Sequence, residues 1–129
     1  MKLSEHLTIE EIVCKCGQCQ LSNLDYAKNF ISQKIVFVFE EIRTMVNRPL
    51  IITSGLRCPE YNQKIGGSNN SAHLQGLALD IRVSDSHERE ELVDVAFMKG
   101  IRRRGVARDF VHIDVGESPR FPQEVLWVY

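Results

Sequence analysis

Leu77, Leu79 and Ile81 alternate with Ala78, Asp80 and Arg82. This two-residue period predicts a strand with one apolar face and places Asp80 on the opposite face. The same period runs through residues 110–115, where Val111, Ile113 and Val115 fall on one side and Phe110, His112 and Asp114 on the other. Thr8 precedes Ile9-Glu10-Glu11-Ile12-Val13, with acid in the first turn, and predicts a short capped helix. Asn23 or Asp25 can cap a long second helix through about Met45, in which Phe30, Ile31, Ile35, Phe37, Val38, Phe39 and Ile42 form a broad apolar stripe. Asn47-Arg48-Pro49 ends it, and the β-branched run 50–54 predicts a central strand.

Pro59 opens a short helix through Lys64, and Gly66-Gly67-Ser68-Asn69-Asn70 is a loop by composition. Ser86 to about Lys99 is amphipathic, with Leu92, Val95, Ala96 and Met98 inward and Gly100 at its carboxyl-terminal cap. Strands follow around Val106, over 110–115 and over 125–129. Helices precede and separate strands that lack βαβ regularity, so the expected class is α+β.

A chain of 129 residues is expected to form one domain spanning 1–129, large enough for a hydrophobic core. Its 43% hydrophobic and 26% charged residues are those of an ordinary soluble protein. A formal net charge of −1 gives no global pull toward nucleic acid or an anionic membrane. No apolar run approaches a membrane span, and Lys2, Glu5 and His6 near the start do not read as a signal peptide. The expectation is a monomer with neither nucleic-acid nor membrane partners.

The candidate chemistry lies on the two alternating segments. His73, seven residues before Asp80, shares neither a clean helical face nor a strand face with it, so the chain must turn between them, and Gly76 is the place. Adjacent strands would then bring His112 to Asp80. Two imidazoles and a carboxylate suit zinc, and three protein ligands leave one coordination position open, as catalytic sites do.

The pattern His73-x-x-Gly76-x-Ala78-x-Asp80, followed by His112-x-Asp114, resembles the M15 family of zinc D-Ala-D-Ala peptidases. The clan of that family also holds phage endolysins and the amino-terminal domain of hedgehog proteins. Thr53-Ser54-Gly55-Leu56-Arg57-Cys58-Pro59-Glu60-Tyr61-Asn62, then Gly66-Gly67-Ser68, then Ser71-Ala72-His73, is similar to the compact branch found in bacterial and phage cell-wall hydrolases. The likeness runs from Leu7 to Gly116. It implies the hedgehog/DD-peptidase fold, a central antiparallel sheet flanked by helices, with one catalytic Zn2+ on His73, Asp80 and His112. It also implies a peptidoglycan peptide substrate, cut by a carboxypeptidase or an endopeptidase of endolysin type. Hedgehog domains imply an alternative, a non-catalytic binding or structural module stabilised by zinc. A cytoplasmic chain acting on the wall would need phage holin-type release, delivery in a particle, or a signal removed from the chain.

Two carboxylates compete as general base. Asp109, three before His112, stands where relatives carry a Glu or Asp base, although an offset of three points to the opposite strand face unless the chain bends before Phe110. Asp114 shares the His112 face and is either the base or the partner that orients the imidazole. Arg57 is similar to the family arginine that stabilises the oxyanion, a cationic fork at a strand end, against the alternative of a surface ion pair with Glu60. Ser71 matches a family serine that binds substrate, and equally could cap a turn. Gln75 is near the metal by sequence and is a second candidate to touch substrate.

Cys14, Cys16, Cys19 and Cys58 leave three readings open: a structural zinc site, a disulfide, or free thiols. His6 and His87 read as solvent-facing, Arg102-Arg103-Arg104 as a solvated turn, and Trp127 and Tyr129 as either groove lining or core closure.

Overall fold

The computed structural model describes residues 1–129. Lys2–Ser4 (β1) and Leu7–Thr8 (β2) form a small antiparallel ribbon, and the predicted first helix is a single 3-10 turn over Ile9–Glu11. The Glu11 carboxylate accepts the Thr8 amide at 2.7 Å and its hydroxyl at 2.9 Å, tying off that turn.

The long helix expected through Met45 is two helices, Leu24–Phe30 (α1) and Gln33–Val46 (α2). Asn23 Oδ1 accepts the Tyr26 amide at 3.0 Å, and Ser32 Oγ accepts the Ile35 amide at 3.2 Å, so each helix has its own cap. The break has a tertiary cause. With Ile31 and Ser32 extended, the Ser32 amide donates to the Gly76 carbonyl at 2.9 Å, anchoring the helix pair to the turn that carries His73. α2 buries Ile35, Val38, Phe39 and Ile42. Phe37, expected in that stripe, is 66% exposed because two residues from Ile35 is about 200° around the helix.

Ile52–Ser54 (β3), Ala78–Arg82 (β4), Phe110–Asp114 (β6), Arg103–Val106 (β5) and Val125–Val128 (β7) form one sheet in the order β3-β4-β6-β5-β7. β3 is therefore an edge strand, not the central one, and β6 takes the middle. The sheet is mixed rather than wholly antiparallel: β7 returns beside β5 in parallel, while the other pairs are antiparallel. Pro59–Lys64 (α3) starts behind Cys58, whose sulfur accepts the Tyr61 amide. Ser86–Met98 (α4) is capped by Asp85 and buries Leu92, Val95 and Ala96, whereas Met98, expected inward, is exposed in the last turn.

The alternation read from the sequence sorts the sheet into two faces. Leu79 and Ile81 of β4 and Val111 and Ile113 of β6 enter one continuous core with α2 and α4. The other face carries Ala78, Asp80, His112 and Asp114, with Asp80 directly opposite His112 and Ala78 opposite Asp114. This mixed α+β arrangement contains no helix long and apolar enough to cross a membrane.

Candidate metal centre and its cleft

His73 sits on a 3-10 turn over Ala72–Gln75, and Ser71 Oγ caps it by accepting the His73 amide at 3.2 Å. Gly76 ends the turn in the left-handed region at φ 70°, where a Cβ would lie 2.9 Å from the Phe30 carbonyl oxygen. The chain then enters β4 and presents Asp80 from the sheet. His73, Asp80 and His112 are all buried.

One oxygen of Asp80 faces both rings, with Oδ1 3.1 Å from His73 Nε2 and 2.9 Å from His112 Nδ1. The outer nitrogens have fixed partners: His73 Nδ1 lies 2.6 Å from the Gly55 carbonyl, and His112 Nε2 lies 2.6 Å from Asp114 Oδ2. A carbonyl and a carboxylate can only accept, so each outer nitrogen carries the hydrogen. Burial dominates His73, holding its pKa below the ordinary value despite Asp80, so the ring is neutral and its inner nitrogen turns a lone pair toward a carboxylate oxygen. Burial also opposes charge on His112, but its hydrogen bonds to Asp114 and Asp80 outweigh that and raise its pKa. A cation between the rings would replace that proton. Three buried donor atoms within 4.8 Å of one another, with outer nitrogens already committed, form a set that could hold a divalent metal.

Arg57 closes the far side of Asp80. It lies three residues past β3 rather than on the strand end, and its partner is Asp80, not Glu60. Nη2 donates to Asp80 Oδ2 at 3.1 Å, Nε to Ser54 Oγ at 3.0 Å, and Nη1 to Asn62 Oδ1 at 3.1 Å. Burial pushes the Asp80 carboxyl up, but His73 and His112 pull harder and hold it well below the usual carboxylate range.

The two base candidates occupy different surroundings. Asp114 is buried; its Oδ2 faces His112, and its Oδ1 accepts Arg103 Nε at 2.7 Å and the Gly116 amide at 2.9 Å. Asp109 is exposed at a bend just before β6, and that bend removes the parity objection to its facing the site. It lines a cavity of about 600 Å³ together with Asp80 and Arg57. A neighbouring cavity of about 500 Å³ is lined by His112, Asp114, Ser71 and Trp127, and both cavities share Arg57, Gly66, Gly67 and Tyr129. Gln75 is exposed and lines neither.

Arg103 went unseen in the sequence. Instead of a solvated turn, the arginine run enters β5, where Arg103 is paired with Asp114 by register and its guanidinium lies 5.1 Å over the Trp127 and Phe121 rings. Strand parity against Asp114 was the available signal. Gly105 was also missed. It stands opposite both His112 and Trp127, and a Cβ there would meet Trp127 Nε1 at 2.5 Å, so only glycine lets that indole come within 5.0 Å of the His112 ring. His87 is exposed, while His6 pairs with Glu40 at 2.6 Å.

A family model described as peptidase M15 matches residues 5–114. The chain therefore belongs to the M15 peptidase family, a family of zinc enzymes. No curated protein matches it.

Proposed function

We propose that this chain is a zinc peptidase that hydrolyses an amide bond in peptidoglycan stem peptides or cross-links, as one monomeric domain of the hedgehog/DD-peptidase fold over residues 1–129. The observation that carries the reading is the convergence of the inner nitrogens of two buried imidazoles on one Asp80 oxygen, beside an open cleft. His73 Nε2, Asp80 and His112 Nδ1 would hold the metal. Zinc bound there supplies Lewis acidity toward the scissile carbonyl and lowers the pKa of water to about 7.

The protein groups supply the rest. Asp109 takes the proton of the attacking water and delivers it to the leaving amine nitrogen. Asp114 orients His112 and does not itself shuttle protons, since both its oxygens are engaged. Arg57 spends three of its five N–H donors on Ser54, Asn62 and Asp80, and with two donors left it lines the cleft and stabilises the negative charge that develops on the carbonyl oxygen. Ser71, Trp127 and Tyr129 form the substrate wall around His112.

The test is digestion of purified muropeptides by zinc-loaded protein, with and without chelator, with the products read by mass. Cleavage of one amide type that stops with chelator and returns with zinc is the expected result. A zinc-loaded protein that leaves every amide intact would overturn the peptidase reading in favour of a binding or structural module, and peptide cleavage confined to ordinary L-peptides would overturn the wall substrate.

A further inference from the structure

Away from the cleft, Cys14, Cys16, Cys19 and Cys58 come from two distant parts of the chain, yet their sulfurs all lie within 4.8 Å of one another. None is in a disulfide. Cys58 Sγ and Cys16 Sγ stand 3.9 Å apart. Four sulfurs each about 2.3 Å from a common tetrahedral centre would be about 3.8 Å apart, whereas a disulfide needs about 2.05 Å. Backbone amides address three of them: Gln18 N donates to Cys16 Sγ, Cys58 N to Cys14 Sγ and Tyr61 N to Cys58 Sγ, each at 3.4 Å. Amide donors aimed at sulfur favour the thiolate, the form that ligates metal. Gly17, at φ 73° with nothing near its missing Cβ, turns the chain between Cys16 and Cys19.

We propose that these four cysteines form a second, structural metal site, a closed tetrathiolate centre for zinc that is separate from the His73–Asp80–His112 centre. Each thiol releases its proton to solvent on binding, and four sulfurs leave no position for water, so the site takes no part in hydrolysis. Its role is to clamp the amino-terminal segment to the loop after β3. Those two stretches are already laced together: the Leu56 amide donates to the Ile12 carbonyl at 2.7 Å, and a Cβ on Gly55 would lie 2.6 Å from that same oxygen. The clamped loop carries the Gly55 carbonyl that holds His73 and the Arg57 guanidinium that holds Asp80.

The experiment counts metal on full-length protein purified under reducing conditions and reads the absorption of the cobalt-substituted form. Wild type is expected to hold two zinc ions per chain, and His73→Ala/His112→Ala one. Cobalt in wild type is expected to show thiolate-to-metal charge transfer, which a site of imidazoles and carboxylate cannot produce, and Cys16→Ser/Cys19→Ser should lose it. The cobalt readout on wild type keeps the test alive should the histidine variant fail to fold. Zinc that disappears entirely from the histidine variant while its fold persists, cobalt without thiolate absorption, or a disulfide among these cysteines in freshly isolated protein would overturn the proposal. A thiolate signal in a protein without hydrolytic activity would sink the peptidase reading and leave this one standing.

Discussion

Asp114 Oδ2 lies 2.6 Å from His112 Nε2, while Arg103 and the Gly116 amide hold its other oxygen at 2.7 and 2.9 Å. A carboxylate pinned this way fixes the imidazole tautomer and leaves Nδ1 free to face Asp80. Asp114→Asn keeps the shape and removes the charge. It is expected to weaken zinc binding about 10–100-fold, as read by competition with a chromogenic chelator. An unchanged affinity would mean that Asp114 does not orient the ring.

Asp109 should behave in the opposite way. Its side chain stands at a bend outside the buried histidine–aspartate cluster, on the rim of a cavity shared with Asp80 and Arg57. Asp109→Asn is expected to retain its zinc and lose about 10²–10⁴-fold in turnover, the usual contribution of a positioned base. Metal analysis and kcat on the same preparation check both halves, and near-normal kcat would remove Asp109 from the mechanism.

Arg57→Lys preserves a cation beside Asp80 but loses the planar fork that reaches Ser54, Asn62 and Asp80 together. The expected loss in kcat/KM is about 10²–10³-fold at full zinc occupancy, comparable to removal of one oxyanion donor. Equal losses in urea stability and activity would instead assign Arg57 a role in holding the loop alone.

Gly76 joins the helix break to the metal centre, because its carbonyl accepts the Ser32 amide and its αL backbone ends the His73 turn. Gly76→Ala incurs about 1–2 kcal/mol for the left-handed backbone alone, and contact with the Phe30 carbonyl adds to it. A lower urea midpoint together with weaker zinc binding is expected. A stable variant with a displaced metal equilibrium, or the reverse, would separate the two roles assigned to this glycine.

The faces of β4 and β6 were legible because a two-residue period survives whatever the rest of the chain does, and that period alone set Asp80 and His112 on one side of the sheet. The break at Ser32 was not, because α1 and α2 continue one apolar stripe and the partner of the Ser32 amide is a carbonyl far along the sequence. The edge position of β3 and the parallel return of β7 were hidden for a related reason: local alternation says which residues face the core but not which strand lies beside which. Arg103 was lost among three consecutive arginines whose charges look alike until the register puts one of them opposite Asp114. Spacing alone also gave no view of surroundings: Asp114 is buried with both oxygens engaged, whereas Asp109 is exposed on a cavity rim.

The amino-terminal ribbon is tied to α2 by Glu40, which accepts the His6 amide at 2.8 Å and lies 2.6 Å from His6 Nδ1. Burial raises the Glu40 carboxyl, but the contacts with His6 outweigh it and hold the pKa below the ordinary 4.5. A depressed folded-state pKa means that the stabilisation is present above the unfolded value and is lost as pH falls through the folded one. At pH near 6 wild type should exceed Glu40→Gln by about 0.5–1 kcal/mol, the upper scale of a partly exposed pair. That gap should close as the pH falls from 4.5 through the lower folded-state pKa. Urea midpoints of both proteins across this range decide the matter: a gap that stays constant down to the acid limit would mean that Glu40 acts through packing rather than charge.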